Sequence, residues 1–580
     1  MITITNVDMD KLKILFYHGS PHEWQAHWLY THALQFKTYI DLFCTDISDH
    51  IEWFIPVQQA VSDEDLIKHI DLLDVDVLCT SHYIWNNTQL HEQLSRIKPQ
   101  LNPALKLIAG GPSVDVNIDK DFFEQHPWIN YAVYGPGEIA FADIITHLVT
   151  NRPLIAFNTS NCAWKHSTLD KIVVADYKPV KMIDTSPFIY NKDMFGVMVK
   201  EVQEKSQVDN KPVWLPYGLT RGCPFSCTFC DWNGGLGNKV SRRKNTYQQE
   251  IDLFEEMQLT NLYLADANVG QYDEDVELID YLAQKNISGK ADFTVMTNFS
   301  KLNKVNNLKI FHLFGQGKLT KRVLNFSFQD IDPTVLENID RPDIGWEEHL
   351  AMANQVRQAY PHLVVKAQLI CGLPGQTRET WQQTLLQLVK ENIMPIIFLN
   401  EPLPASPALT DPDYQDKFQF EYVKSFRLDW GGRLYSSLIP KKCVSFDQRE
   451  LVEMYTTSMI VHAVSFVKLR LSMIQIELDA QPLVEHLLRT KNYHWLCDNL
   501  YHNWTVDNMF CYTINFSGQS IHTLPADSHG SVVQMCFQEK DFLLEINKLI
   551  KGKTAMEVMK LFNNYSIFVD WVFKLALEFH

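Results

Sequence analysis

The run Arg221-Gly-Cys-Pro-Phe-Ser-Cys-Thr-Phe-Cys230 decides how the rest of this 580-residue chain is read. Cys223, Cys227 and Cys230 stand at C-x3-C-x2-C spacing, on a short loop after an apolar, strand-like run from Val213 to Leu219. Thiolates are the usual ligands of iron–sulfur clusters, and a complete [4Fe–4S] cubane takes four of them. Three cysteines on one tight loop hold one iron each and leave the fourth iron to a non-protein ligand. An iron left open in this way favours chemistry at the cluster over electron storage. The competing readings are a structural zinc site and three unrelated buried thiols. Zinc sites gather four Cys or His ligands, commonly from paired C-x2-C sets, and no second pair lies near this loop.

The spacing and its setting resemble the radical S-adenosylmethionine (radical SAM) superfamily. The resemblance implies that the open iron is chelated by the amino and carboxylate groups of S-adenosylmethionine (SAM). Reductive cleavage of SAM then yields methionine and a 5′-deoxyadenosyl radical. It also implies that Phe229, just before the third cysteine, lies beside the adenine, and that a reductase or flavodoxin-type protein supplies the electron.

Beyond Cys230, short apolar runs alternate with amphipathic stretches. Strands are expected at Asn261–Ala265, Phe293–Thr297, Val323–Phe328, Leu363–Leu369 and Pro395–Leu399. Helices are expected at Thr246–Met257, Asp273–Lys285, Trp346–Tyr360 and Arg378–Asn392. With the strand before the cysteine loop this makes six β/α units, which agrees with the partial (β/α)6 barrel of the radical SAM family. Successive residues of a strand point to opposite faces. Asn325, Ser327 and Gln329 therefore share one face, as do Lys366 and Gln368, while Ala367, Leu369 and Cys371 share the apolar one.

The resemblance carries roles to particular positions. Asp266 and Asn268, in Asp266-Ala-Asn-Val-Gly270, stand where the family binds the amino group of SAM, although the usual Gly-Gly-Glu form is absent. Ser327 and Gln329 resemble the S-x-Q run that reaches the ribose and methionine part. Gly372 and Gly375 frame a G-L-P-G turn of the kind that lies over the adenine. Arg242 or Lys366 is the expected partner of a carboxylate on SAM or an anionic substrate; Arg242 sits in a basic run with Lys239, Arg243 and Lys244 that otherwise reads as a solvated face. Cys371 is a candidate hydrogen donor to a substrate radical, against the alternative of a buried structural thiol.

The N-terminal stretch also alternates strands (Lys13–Tyr17, Val75–Cys79, Leu105–Ala109, Ile129–Val133) with helices (Glu64–Leu73, Asn87–Ile97, Ile139–Val149). That pattern implies a doubly wound, Rossmann-like parallel sheet with its ligand at the carboxyl ends of the strands. The motifs at those ends resemble the cobalamin-binding domain that precedes many radical SAM cores. That resemblance implies that Ser81, Tyr83, Trp85, Gly110, Gly111, Gly135, Gly137 and Glu138 are cobalamin residues. A D-x-H-x-x-G loop, which gives cobalt a histidine in some relatives, is absent; His18 and His22 lack its spacing.

The fold expected is α/β: a Rossmann-like domain at 1–155, a connecting segment at 156–210, a radical SAM barrel at 211–410 and a mainly helical cap at 411–580, led by a long helix at Gln448–Leu471. A net charge of −17 argues against a nucleic-acid or anionic-membrane surface. No signal segment or membrane-length apolar run stands out, and eleven scattered cysteines suit a reducing compartment. The expectation is a cytoplasmic enzyme acting on a small molecule or peptide, most naturally by cobalamin-dependent C-methylation. The alternatives are a cobalamin-free, epimerase-like peptide-modifying enzyme and a non-catalytic iron–sulfur or cobalamin-binding protein.

Overall fold

The computed structural model describes residues 11–20, 27–83, 86–114, 120–166, 171–232, 240–243, 247–299, 302–320, 323–342, 344–403, 406–428, 434–473 and 480–489, with Tyr493, His494, Cys497, Asp498 and Tyr501. Trp85, Lys239, Lys244 and the C-terminal elements expected after residue 502 lie outside these residues.

The front of the chain contributes β1 (Leu12–Ser20), β2 (His27–Trp28), β3 (Ile51–Trp53), β4 (Val57–Gln59), β5 (Val77–Ser81), β6 (Lys106–Gly110), β7 (Tyr131–Val133), β8 (Cys162–Lys165) and β9 (Ile172–Val174). One sheet runs in the order β3-β1-β5-β6-β7-β8-β9, with β4 also on β1. The strands from β1 to β7 in this sheet are parallel, and β8 and β9 extend it antiparallel. Alternation along β1 explains why both faces are covered. Ile14 and Phe16 enter one core with Ala33, Ile40, Phe141 and Ile145. Leu15 and Tyr17 enter the other with Leu66, Leu90, Leu94 and Ile97. The helix Asn87–Ile97 presents Leu90, Leu94 and Ile97 as one stripe at helical spacing, and each such buried side chain contributes about 1.5–3 kcal/mol of transfer free energy.

Residues 156–210, expected as a connector, hold β8, β9 and the helix Lys192–Asp209. Pro187 opens the short helix Pro187–Tyr190, the first-turn position where a missing N–H does no harm.

Next come β10 (Val213–Tyr217), β11 (Thr220–Arg221), β12 (Ser241–Arg242), β13 (Asn261–Val269), β14 (Thr294–Phe299), β15 (Val323–Gln329), β16 (Val364–Cys371) and β17 (Met394–Leu399). The chain forms two compact units: residues to 226, 231–298 and 316–319 make one, and 227–230, 299–315 and the residues from 320 make the other. In the first, β10 lies between β13 and β2 in a sheet ordered β14-β13-β10-β2. In the second, β15, β16 and β17 form a parallel sheet. The six strands expected of the central domain are all present.

In the second unit Trp381 is fully buried and donates Nε1–H to Ser458 Oγ at 2.8 Å and to the Met454 carbonyl at 3.1 Å. These bonds dock the long helix Gln448–Met473 on the helix Arg378–Lys390. A hairpin of β18 (Glu421–Leu428) and β19 (Leu434–Lys442) precedes that long helix, an element the helical pattern did not foretell.

Gly111 follows β6 with φ of +104°, and a Cβ there would stand 2.5 Å from the His82 carbonyl oxygen. Backbone against backbone cannot yield, so Gly111→Ala is expected to lower unfolding stability by about 2 kcal/mol or more, read by chemical denaturation; a change within about 0.5 kcal/mol would contradict this packing.

Candidate functional site

The cysteine loop begins where β10 ends, and a carboxylate fixes that point. Asp266, inside β13, accepts the backbone N–H of Leu219 at 3.2 Å and of Thr220 at 2.5 Å. Gly218 lies so close that a Cβ there would meet Asp266 Oδ1 at 3.3 Å. Burial pushes the Asp266 carboxyl up to about 6, against the lowering effect of the two N–H donors. Asp266 therefore holds the start of the loop.

Its neighbour on the same strand face behaves differently. Asn268 is buried, and its Nδ2–H donates to Cys223 Sγ at 3.1 Å. Asn268 Oδ1 is buried with no hydrogen-bond partner among the described residues. An orphaned acceptor beside a cysteine sulfur fits an ammonium group brought in by a ligand.

Arg242 is engaged within the chain. It pairs with Asp275 at 2.6 Å, donates to Thr220 Oγ1 at 2.7 Å and lies over the Tyr272 ring. Asp275 in turn accepts the N–H of Gly270 and Tyr272. Arg242 thus ties the loop to the end of β13. Arg243 likewise reaches buried Glu250, which also accepts Tyr217 OH and Ser186 Oγ.

In the second unit the segment Cys227–Cys230 makes a tight turn, with Cys230 N–H to the Cys227 carbonyl at 3.1 Å. Thr228 N–H donates to the Ile339 carbonyl, and Thr228 Oγ1 to Tyr414 OH. Phe229 packs against the apolar group of Val335, Ile339 and Leu373. The structure thus joins Phe229 to the Gly372–Gly375 turn, two features the sequence related only by resemblance. That turn is set by Gln376, whose Oε1 accepts the N–H of Gly372 and Leu373 while its Nε2 donates to Asp330.

Strand parity holds. On β15 Leu324, Phe326 and Phe328 are buried while Asn325, Ser327 and Gln329 are half-buried, and β16 alternates in the same way. Ser327 Oγ donates to Gln368 Oε1 at 2.7 Å, and Lys366 faces Asn325 in register. Gln329 turns left-handed at φ +67° beside a bulge in the pairing. Arg341 fixes that bulge, donating to the Ser327 and Phe328 carbonyls. Cys371 falls on the apolar face, fully buried, with its thiol pushed up by burial. That placement matches the alternative of a buried structural thiol.

Cys223 and Cys227 are buried, Cys230 is partly exposed, and none of the three is in a disulfide. Among the described residues no three His, Cys, Asp or Glu side chains are gathered as ligands of a single metal ion. Thiolates of a cubane each hold a different iron and have no need to converge on one point. A sulfur already receiving an amide N–H, next to an orphaned acceptor, fits the cluster and SAM together.

The sequence model of the radical SAM superfamily matches residues 217–388. These residues are a radical SAM domain. Two relatives extend the likeness: 2-(S-pantetheinyl)-carbapenam-3-carboxylate methyltransferase of Streptantibioticus cattleyicolor, 28% identical over 55% of this chain and 45% of its own, and the cobalamin-dependent radical SAM methyltransferase TokK of Streptomyces tokunonensis, 26% identical over the same shares. The chain thus spans a little under half the length of either relative. Two solved structures share its fold. TsrM of Kitasatospora setae, with cobalamin and a [4Fe–4S] cluster bound, aligns with TM-score 0.52 at 12% identity, over 70% of this chain and 75% of that one. The cobalamin-dependent S-adenosylmethionine radical enzyme OxsB aligns with TM-score 0.57 at 12% identity, over 98% of this chain and 83% of that one.

Ahead of the radical SAM domain, the switch point of the front sheet lies between the carboxyl ends of β1 and β5, because the chain leaves β1 for β3 on one side and returns for β5 on the other. His18 Nδ1 meets Ser81 Oγ at 3.1 Å, and Tyr83 OH meets His32 Nε2 at 3.1 Å. The rings of His18, Tyr30 and His32 pack together. Burial lowers both imidazoles, His32 to about 4, so they are neutral near pH 7. His18 Nε2 and His32 Nδ1 are buried without hydrogen-bond partners among the described residues. Orphaned nitrogens at a switch point fit a large polar cofactor such as cobalamin. His32 and Tyr30 escaped the sequence reading because they follow β1 at no motif spacing.

The glycines there answer to the chain itself. Gly135 has φ +61° and leaves room for the Tyr177 ring, Gly137 for Val133, and Gly110 only touches Val133. Glu138 pairs with Arg221, which also reaches the Val180 carbonyl, so it ties the front sheet to the cysteine loop. Glu138→Gln is expected to lower unfolding stability by about 1–3 kcal/mol; equal denaturation midpoints would contradict the tie.

For Asp266 the sign follows from burial. Its folded pKa lies above the unfolded value, so the stability it contributes is present below about pH 4 and lost as pH rises through about 6. Relative to Asp266→Asn, the wild type should therefore lose up to about 3 kcal/mol between about pH 4 and 7 in denaturation titrations. A constant difference across that range would refute the assignment.

Proposed function

We propose that this chain is a cobalamin-dependent radical SAM methyltransferase acting on a carbon of a small organic substrate. The observation that carries the reading is the cysteine loop at the end of β10, with orphaned Asn268 Oδ1 beside Cys223. The names of the two methyltransferase relatives support it.

The chain's own residues have definable tasks. Cys223, Cys227 and Cys230 hold a [4Fe–4S] cluster, and Asn268 accepts the ammonium of SAM. Phe229, with Leu373 of the Gly372–Gly375 turn, offers an apolar bed for the adenine. Ser327, Gln329 and Gln368 present hydrogen-bonding groups on one face, and Lys366 on that face takes the carboxylate of SAM or of the substrate. Residues 1–155 bring cobalamin through His18, His32, Ser81 and Tyr83 at the switch point, and residues 211–410 form the SAM-cleaving module. When bound, the cluster supplies the electron that cleaves SAM and cobalamin supplies the methyl group. The protein's part is to bind, orient and exclude water, since a primary carbon radical attacks nearby C–H bonds. The electron comes from a reductase or flavodoxin-type donor. No described helix is long and apolar enough to cross a membrane.

Anaerobically reconstituted protein, reduced in the presence of SAM, is expected to form 5′-deoxyadenosine and to retain the visible spectrum of added cobalamin after desalting. Cys227→Ala is expected to lose both the cubane absorption and the product. Product formation by Cys227→Ala would overturn the ligand set, and 5′-deoxyadenosine from protein that retains no cobalamin would move the assignment to a cobalamin-free radical SAM enzyme.

A further inference from the structure

Asn268 faces two partners with opposite ends of one amide. Nδ2–H donates to Cys223 Sγ at 3.1 Å, and Oδ1 is left without a partner among the described residues in a buried setting. Its position is held from both sides. Asp266, two residues earlier, fixes the backbone before the loop, and Asp275 fixes Gly270 just beyond. Because the amide group is planar and conjugated, a charge placed at its oxygen polarises its N–H.

We propose that Asn268 is a positioning residue that sets the reduction potential of the cluster and couples that potential to SAM binding. The inference rests on the radical SAM reading above and goes beyond it. A hydrogen bond to a cluster-ligating sulfur stabilises the more negative, reduced form and raises the potential. The ammonium of SAM, accepted by Oδ1, strengthens the donor at the other end. By linkage, SAM then binds the reduced cluster more tightly than the oxidised one, by the same factor through which it favours reduction. The chemistry is a one-electron couple, [4Fe–4S]2+ to [4Fe–4S]1+, with the electron supplied by dithionite in the titration.

The test is a dithionite titration of anaerobically reconstituted protein followed by EPR, with and without SAM, on wild type, Asn268→Ala and Asn268→Asp. Both variants lose the donor, so both are expected to shift to a more negative midpoint. At a fixed potential, a tenfold fall in the reduced-to-oxidised ratio corresponds to about 59 mV. Asn268→Asp keeps acceptor oxygens and is expected to retain SAM binding, whereas Asn268→Ala weakens it. Variants that load four irons and titrate at the wild-type midpoint overturn the inference. Should neither variant load iron, wild-type protein labelled with 15N at asparagine side chains decides the matter: pulsed EPR of the reduced cluster should show a coupling to one side-chain amide nitrogen, and its absence overturns the proposal. Wild-type protein with no cubane signal at all would instead sink the radical SAM reading itself.

Discussion

A carboxylate buried in one strand holds the backbone of the next at the point where the cysteines begin. Asp266 takes the N–H groups of Leu219 and Thr220, and everything the loop does depends on that hold. Leaving two backbone donors unpaired at a buried strand end would be unfavourable by about 1–3 kcal/mol each. Satisfying them with an acid whose own burial resists ionisation is a compromise, and the raised carboxyl pKa is its signature. The gain is a fixed exit angle for the chain, with Asn268 on the same strand directed at the Cys223 sulfur.

Around that point the charged side chains of the first unit act as fasteners. Arg221 reaches Glu138 of the front sheet, Arg242 reaches Asp275 after β13, and Arg243 reaches Glu250 behind β10. Each guanidinium is fully or largely shielded from water and each has an acid, so these three arginines are internal wiring. The second unit fastens its own share of the loop with neutral groups: Thr228 to Ile339 and Tyr414, and Phe229 to the apolar wall that carries the G-L-P-G turn.

Much of this was legible in the sequence because period and spacing are local. The helix Asn87–Ile97 begins and ends where its Leu and Ile spacing says, and the alternation on β15 and β16 sorted polar from apolar side chains residue by residue. The three-cysteine array named its own chemistry. Long-range partnership was not legible. Nothing in Arg242 announces Asp275, and nothing in Glu138 announces Arg221, since each pair joins residues far apart in the chain. The glycines of the front sheet do not announce which neighbour they serve, because a chain that bends toward its own backbone needs glycine as much as one that bends around a ligand, as Gly111 beside His82 illustrates. Short antiparallel strands such as β8 and β9 were invisible because so few residues give no resolvable period.

A four-iron cube held by three sulfurs, with one iron left for SAM, is the centre on which the proposed chemistry turns. Mössbauer spectroscopy of 57Fe-reconstituted protein, before and after SAM is added, reads that claim directly. One iron of the four should change its isomer shift and quadrupole splitting when SAM binds, while the other three keep theirs. Four irons that remain alike with SAM present, or a reconstituted protein that takes up zinc in place of iron, would contradict it.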